Sequence, residues 1–217
     1  LPLTVRFALI SPMLGRTEAG DTLARSLATA TFPVLEVSDP ELDEQSATVG
    51  SQGVLLVAEE PGEPLKWMEA RGPGRVLLLD GIQDPGNVGN LIRAAHGFGI
   101  DGVVALDGTA DPWGPKVVRS SAGSLAHIPV ARLPWEEVQP WLEARGLKLI
   151  VADAGGSDLR EYSPSPPWAL AVGNEGAGPR EKVLEAAAAV VAIPMAQGAD
   201  SLNAGAAGAI ALFALTS

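Results

Sequence analysis

Cysteine is absent from these 217 residues, aromatic residues make up only 5%, and acidic residues outnumber basic ones by 26 to 15. Without cysteine there is no disulfide, no thiolate zinc site and no thiol redox centre, a composition that fits an intracellular protein. No run of 18 or more apolar residues occurs, so a membrane span is not expected. The net charge of −11 argues against tight, non-specific binding of polyanions, which is an electrostatic effect. No GxGxxG or GxxxxGK[ST] string is present, so the chain lacks the phosphate-binding fingerprints of dinucleotide and P-loop folds. His96 and His127 stand alone in the sequence with no ligand partners, and no metal site is expected.

What is present is a chain 47% hydrophobic, packed mainly by alanine, valine and leucine, and long enough for one large domain or two small ones. Residues 1–60 read as a small α/β module. Phe7–Ile10, Phe32–Val37 and Gly53–Ala58 have the look of strands, and 19–30 carries a helical pattern. This module holds three basic and nine acidic residues, so it is not a basic arm. Residue 1 is Leu rather than Met, and the module is expected to be incomplete at its N-terminus. Proline and glycine around 59–64 and 71–74 bracket a linker over 61–74 with a short helix near Trp67.

From 75 to 217 short apolar runs alternate with helical patterns. The runs are Val76–Leu79, Val103–Leu106, Lys148–Ala152, Ala169–Val172 and Val190–Ile193. The helical stretches are 87–98, 115–125, 135–145, 180–188 and 202–215. This is the layout of an α/β fold with a buried, mostly parallel sheet. The alanines at 186–189 read as helix packing.

Three loops at strand ends concentrate glycine, asparagine and small residues. In Asp84-Pro-Gly-Asn-Val-Gly-Asn90, Pro85 and Gly86 predict a turn and Asn87 a helix cap. Val88, Leu91, Ile92, Ala95 and Phe98 form the buried face of that helix, while Asn90 and Arg93 share another. Spacing alone leaves Arg93 open between a functional cation and a solvated or salt-bridged one. In Gly173-Asn-Glu-Gly-Ala-Gly-Pro179 the glycines permit close approach of backbone to a ligand, or else a plain strand-to-helix turn with Pro179 starting the helix. In Ile193-Pro-Met-Ala-Gln-Gly-Ala-Asp-Ser-Leu-Asn203, Gly198 supplies flexibility and Asp200 or Ser201 caps a helix beginning at Leu202. Its small residues suit a tight helix–sheet contact, a threaded helix or a dimer face. Arg93, Lys116 and Arg119 lie near these loops as a local basic site. Trp113 and Trp168 are read as core residues, with base stacking the alternative.

Together the motifs resemble the SpoU (TrmH) branch of the SPOUT RNA methyltransferases. The resemblance rests on Asn87-x-Gly89-x-x-x-Arg93 with Phe98-Gly99, on Gly173-Asn-Glu-Gly-x-Gly178, and on Ile193-Pro-Met195 followed by Ser201-Leu-Asn203. The segment Pro115–Gly123 is also similar, and the likeness covers 75–217. Residues 1–60 more loosely resemble the small ribosomal-protein-like substrate-binding domain that precedes many such enzymes. The resemblance implies a deep C-terminal trefoil knot, a topology the usual connection rules would not suggest. It also implies a homodimer with the site at its interface, a cytoplasmic enzyme, and S-adenosylmethionine as methyl donor for a ribose 2′-hydroxyl of RNA. Ribosomal RNA is favoured over transfer RNA. By position, Arg93 would be the catalytic arginine, with Asn87, Glu175, Ser201 and Asn203 shaping the site. Leu170, Gly173, Asn174, Gly178, Ile193, Met195, Ser201 and Leu202 would hold the cofactor, and Arg93, Lys116 and Arg119 would meet RNA. The other readings are a knotted RNA-binding or assembly protein without turnover, and a nucleotide-dependent enzyme on a doubly wound sheet.

Overall fold

The computed structural model describes residues 3–46, 50–72, 74–196 and 201–217, and the chain divides between Gly62 and Glu63 into two compact units. In the first unit β1 (Val5–Ile10) is the centre of a three-stranded sheet. It is flanked by parallel β2 (Val34–Glu36) and antiparallel β3 (Val54–Ala58). Ala8, Ile10, Val34 and Val54 pack against Leu14 and against Ala24 and Leu27 of α1 (Glu18–Leu27). A second helix, α2 (Asp39–Gln45), has no apolar periodicity long enough to announce it. It forms around a capping box in which Ser38 and Glu41 satisfy each other's backbone amides.

The second unit opens with α3 (Pro64–Ala70), whose Met68 is fully buried, so the segment read as linker carries a core helix. Met68 lies where a side chain on Gly102 would have to go, its Cγ 2.4 Å from the position of a Cβ there. The six strands of this unit are β4 (Arg75–Asp80), β5 (Gly102–Ala105), β6 (Val130–Arg132), β7 (Lys148–Asp158), β8 (Trp168–Gly173) and β9 (Ala189–Ala192). They form one sheet in the order β6-β5-β4-β8-β7-β9, with every pairing parallel. The centre is buried on both faces, as the unbroken apolar runs require. Each fully buried valine, leucine or isoleucine of β4 and β8 contributes about 1.5–3 kcal/mol.

Helices α4 (Pro85–Gly97), α5 (Pro115–Ser120) and α8 (Ala204–Thr216) belong to one face, and α3, α6 (Trp135–Ala144) and α7 (Glu181–Glu185) to the other. Several boundaries differ from the sequence expectation. Pro85 and Gly86 are the first helical residues of α4, and the cap is Asp84, whose carboxylate accepts the Asn87 N–H at 2.9 Å; Asn87 is thereby released for other bonds. The 115–125 helix breaks at Ala122 and Gly123, which adopt positive φ, and resumes as a 3-10 turn over Ser124–Ala126. Arg180, not Pro179, precedes α7, which ends at Glu185. The alanines beyond it leave the helix, and Ala189 starts β9. Asn203 caps α8 by accepting the Ala206 N–H at 3.1 Å, so neither Ser201 nor Leu202 is helical; Gly198 and Asp200 lie outside the described residues. Trp168 is fully buried and Trp113 packs against the core, as expected.

Candidate functional site

Parallel sheets leave a crevice beyond the carboxyl ends of their strands where the strand order reverses. Here that is the end of β8, inserted between β4 and β7. Gly173 closes the strand so tightly that a Cβ on it would lie 2.2 Å from Pro179 N and 2.5 Å from Gly178 C. The loop that follows is closed on itself. Asn174 and Gly178 exchange backbone hydrogen bonds, and Gly178 takes φ +71°. The Asn174 side chain accepts from Gly176 N–H and Ala177 N–H and donates to Gly81 O at 2.9 Å. From the other face Asp80, fully buried, accepts the Arg180 N–H at 2.7 Å and pairs with its guanidinium, tying the loop's far end to β4. No motif in the sequence announces this pair; an aspartate ending an apolar strand is its only signal.

Beside the loop lies a cavity of about 370 Å³, within the range of small-molecule sites. Gly173, Asn174, Glu175, Gly178, Ile193, Met195, Ser201 and Leu202 line it, with Val172, Leu159 and Val191 forming an apolar wall. Leu170 does not reach it. That residue is fully buried in mid-strand, paired with Leu77 and Ile150. Asp153 is a lining residue that the sequence reading passed over. It follows immediately on the apolar run of β7, and its carboxylate accepts the Gly155 N–H at 2.9 Å.

The first and third loops meet the second through one chain of side-chain hydrogen bonds. Asn87, 6% exposed, donates from Nδ2 to Glu175 Oε1 at 2.6 Å and accepts at Oδ1 from Asn203 Nδ2 at 2.8 Å. Both ends of the Asn87 amide are used, which fixes its orientation. Asn203 in turn caps α8. The helix can come this close because Gly205 would place a Cβ only 3.2 Å from Asn87 Oδ1. Arg93 is not part of this cluster. Six residues after Asn87 it points from a different face of α4, is exposed, does not line the cavity, and makes no hydrogen bond or ion pair among the described residues. Lys116 lies 3.5 Å from Asp84, and Arg119 is exposed and unpaired among the described residues. The Asp84 carboxyl is held below the usual carboxylate range, chiefly by the Asn87 backbone N–H and further by Lys116. No group of three or more metal-ligating side chains is found among the described residues. No described helix is long and apolar enough to cross a membrane.

Comparison with known proteins gives a consistent picture. The model of the SpoU rRNA Methylase family matches residues 74–213. The 23S rRNA (guanosine(2553)-2'-O)-methyltransferase RlmP of Bacillus subtilis is 38% identical over 180 residues, spanning 82% of this chain and 71% of that protein. The 23S rRNA (uridine(2479)-2'-O)-methyltransferase of Streptomyces viridochromogenes is 36% identical over 158 residues, covering 70% and 55%. The crystal structure of the SpoU methyltransferase AviRb from Streptomyces viridochromogenes, in complex with the cofactor AdoMet, superposes with a TM-score of 0.89 at 30% identity. That match covers 99% of this chain and 83% of AviRb.

Proposed function

This chain belongs to the SpoU rRNA methylase family, and on that premise we propose that it methylates a ribose 2′-hydroxyl of ribosomal RNA using S-adenosylmethionine. The observation that carries the proposal is the convergence of the three loops: Glu175 both lines the cavity and holds Asn87, which holds Asn203. The cavity suits the cofactor. Glycine backbone offers hydrogen bonds at close range, Val172 and Leu159 offer an apolar wall, and Asp153 offers a carboxylate to hydroxyl or ammonium groups.

When bound, the cofactor would supply an electrophilic methyl group to the ribose 2′-oxygen, with S-adenosylhomocysteine as the leaving group and the hydroxyl proton passing to solvent. The protein's part is chiefly positioning. The Glu175–Asn87–Asn203 chain holds the loops in register, and Ser201 and Leu202 border the cavity. Arg93 anchors the RNA phosphate and stabilises the developing alkoxide. A guanidinium, a planar cation with a fork of N–H donors and no acceptor, is suited to that role and is a poor base. Gly173, Asn174, Gly178, Ile193 and Met195 hold the cofactor; Leu170 acts only by supporting β8 from within the sheet.

We further propose a homodimer with the site at its interface. Two observations support it: Arg93 stands away from the cavity of its own chain, and α8 exposes Ile210 and Phe213, the latter 60% accessible beside Phe98. A trefoil knot is supported by the order of the strands, β8 entering between β4 and β7 before α8 returns to pack on α4. The first unit is assigned to RNA substrate binding as a ribosomal-protein-like module, and the enzyme to the cytoplasm, where its substrate is.

Methyl transfer to unmodified ribosomal and transfer RNA tests the reading. Label is expected in ribosomal RNA; label confined to transfer RNA would reassign the substrate. Arg93→Ala is expected to lose transfer while retaining cofactor binding, and an unchanged rate would remove Arg93 from the mechanism. Light scattering should give twice 22.3 kDa; a monomer at micromolar concentration would refute the interface.

A further inference from the structure

Both histidines of the chain, isolated in sequence, meet in the structure. The imidazoles of His96 and His127 stack with centroids 5.1 Å apart and planes 8° from parallel. His96 Nδ1 is 3.2 Å from Ser124 Oγ, and Arg71 donates from Nη2 to the His127 carbonyl at 2.7 Å. Arg71, His96 and His127 are exposed, and Ser124 is buried. The pair continues a line that starts at Arg93. Gly89, Arg93 and His96 follow one another at i, i+4 and i+7 on a single stripe of α4. A Cβ on Gly89 would touch Ser120, and His96 touches Ser124, so Arg93 stands between them beside the α5 turn.

Elsewhere cations of this acidic chain are commonly tied to carboxylates, as in Arg145–Glu69 and Lys182–Glu136. Along this line neither Arg93 nor Arg71 has an acidic partner among the described residues. Uncompensated cations flanking an exposed pair of flat rings combine the two features that hold unpaired RNA: charge for phosphates and a π-face for a base.

We propose that the Arg93–His96–His127–Arg71 ridge is a docking surface for the single-stranded RNA flanking the target ribose, with Arg71 on a phosphate and the histidine pair under a base. The proposal rests on the methyltransferase reading and extends it along the substrate. It accounts for RNA recognition by a protein of net charge −11, because the ridge supplies a local field where the global one is repulsive.

The test is fluorescence anisotropy with a labelled single-stranded RNA of mixed sequence, alongside methyl transfer to unmodified ribosomal RNA. His127→Ala is expected to weaken RNA binding about tenfold, and His127→Phe, which keeps a flat ring, to restore it to within about twofold. Arg71→Ala should lower the slope of log affinity against log salt by about one. In all three variants cofactor affinity and melting temperature should match the wild type. Unchanged RNA affinity in both alanine variants would overturn the ridge, as would wild-type protein that does not bind the probe. Wild-type binding that depends on His127, without any methyl transfer, would leave the ridge standing and instead defeat the functional reading.

Discussion

The two faces of the parallel sheet are packed by different means, and only one of them bears the cavity. On the α3–α6–α7 face large side chains fill the space: Met68, Trp135 and Trp141 lie against Val76, Leu78 and Val151. On the α4–α5–α8 face the helices come close because their contact residues are small. A Cβ on Gly208 would sit 2.3 Å from Leu91 Cδ2, and one on Gly89 1.9 Å from Ser120 Oγ and 2.8 Å from Val117 O. Bulky packing keeps helices apart and asks only for volume. Close packing brings loop ends together and asks for particular residues, which is how Asn87 and Asn203 reach each other.

That contrast predicts which substitutions cost stability alone and which also cost function. The largest effect is expected at Asp80, the tie from the bulky face to the glycine loop. Asp80→Ala strands Arg180 and should lower unfolding free energy by about 3–5 kcal/mol in urea titration, with cofactor binding impaired as well. Gly173→Ala forces a Cβ against the Gly178–Pro179 backbone; a loss on the order of 3 kcal/mol and of cofactor affinity is expected by urea titration and calorimetry. Asn87→Ala removes the middle of the Glu175–Asn87–Asn203 chain, costing about 1–3 kcal/mol and slowing methyl transfer at saturating cofactor. Trp141→Phe, on the bulky face, should cost about 1 kcal/mol and leave the methylation rate unchanged. Lost activity there would break the comparison.

The smallest effect concerns acid. The Asp84 carboxyl is depressed in the folded protein, so the stability from its cap on α4 is complete above the ordinary carboxylate range. It disappears as pH falls through the depressed value. Asp84→Asn, still able to cap, should flatten that part of the pH–stability curve measured by thermal melting.

The alternation of apolar runs and helical patterns was enough to read the parallel sheet, because strands buried on both faces cannot hide their composition. β6, only three residues long, carries too short a run to register, and β7 runs on to Asp158 through a glycine-rich, non-apolar stretch after a register shift at Ala152. Sequence alone does not choose between cap candidates that stand close together, such as Asp84 and Asn87 or Asp200, Ser201 and Asn203. Asp84 and Asn203 are the caps because their side chains accept the N–H three residues on, which leaves the Asn87 side chain for Glu175 and Asn203. Motif spacing located the loops but not their contacts. It put Asn87 and Arg93 in one motif without showing that Asn87 bonds Glu175 and Asn203 while Arg93 stands exposed on another face of α4, and it left two histidines 31 positions apart that the fold stacks.

The most direct test is nucleoside mass spectrometry of unmodified ribosomal RNA incubated with the protein and S-adenosylmethionine bearing a deuterated methyl group. The account predicts one 2′-O-methylated nucleoside carrying the deuterium on its ribose. Deuterium on a base, or none in RNA while the cofactor binds, would contradict it.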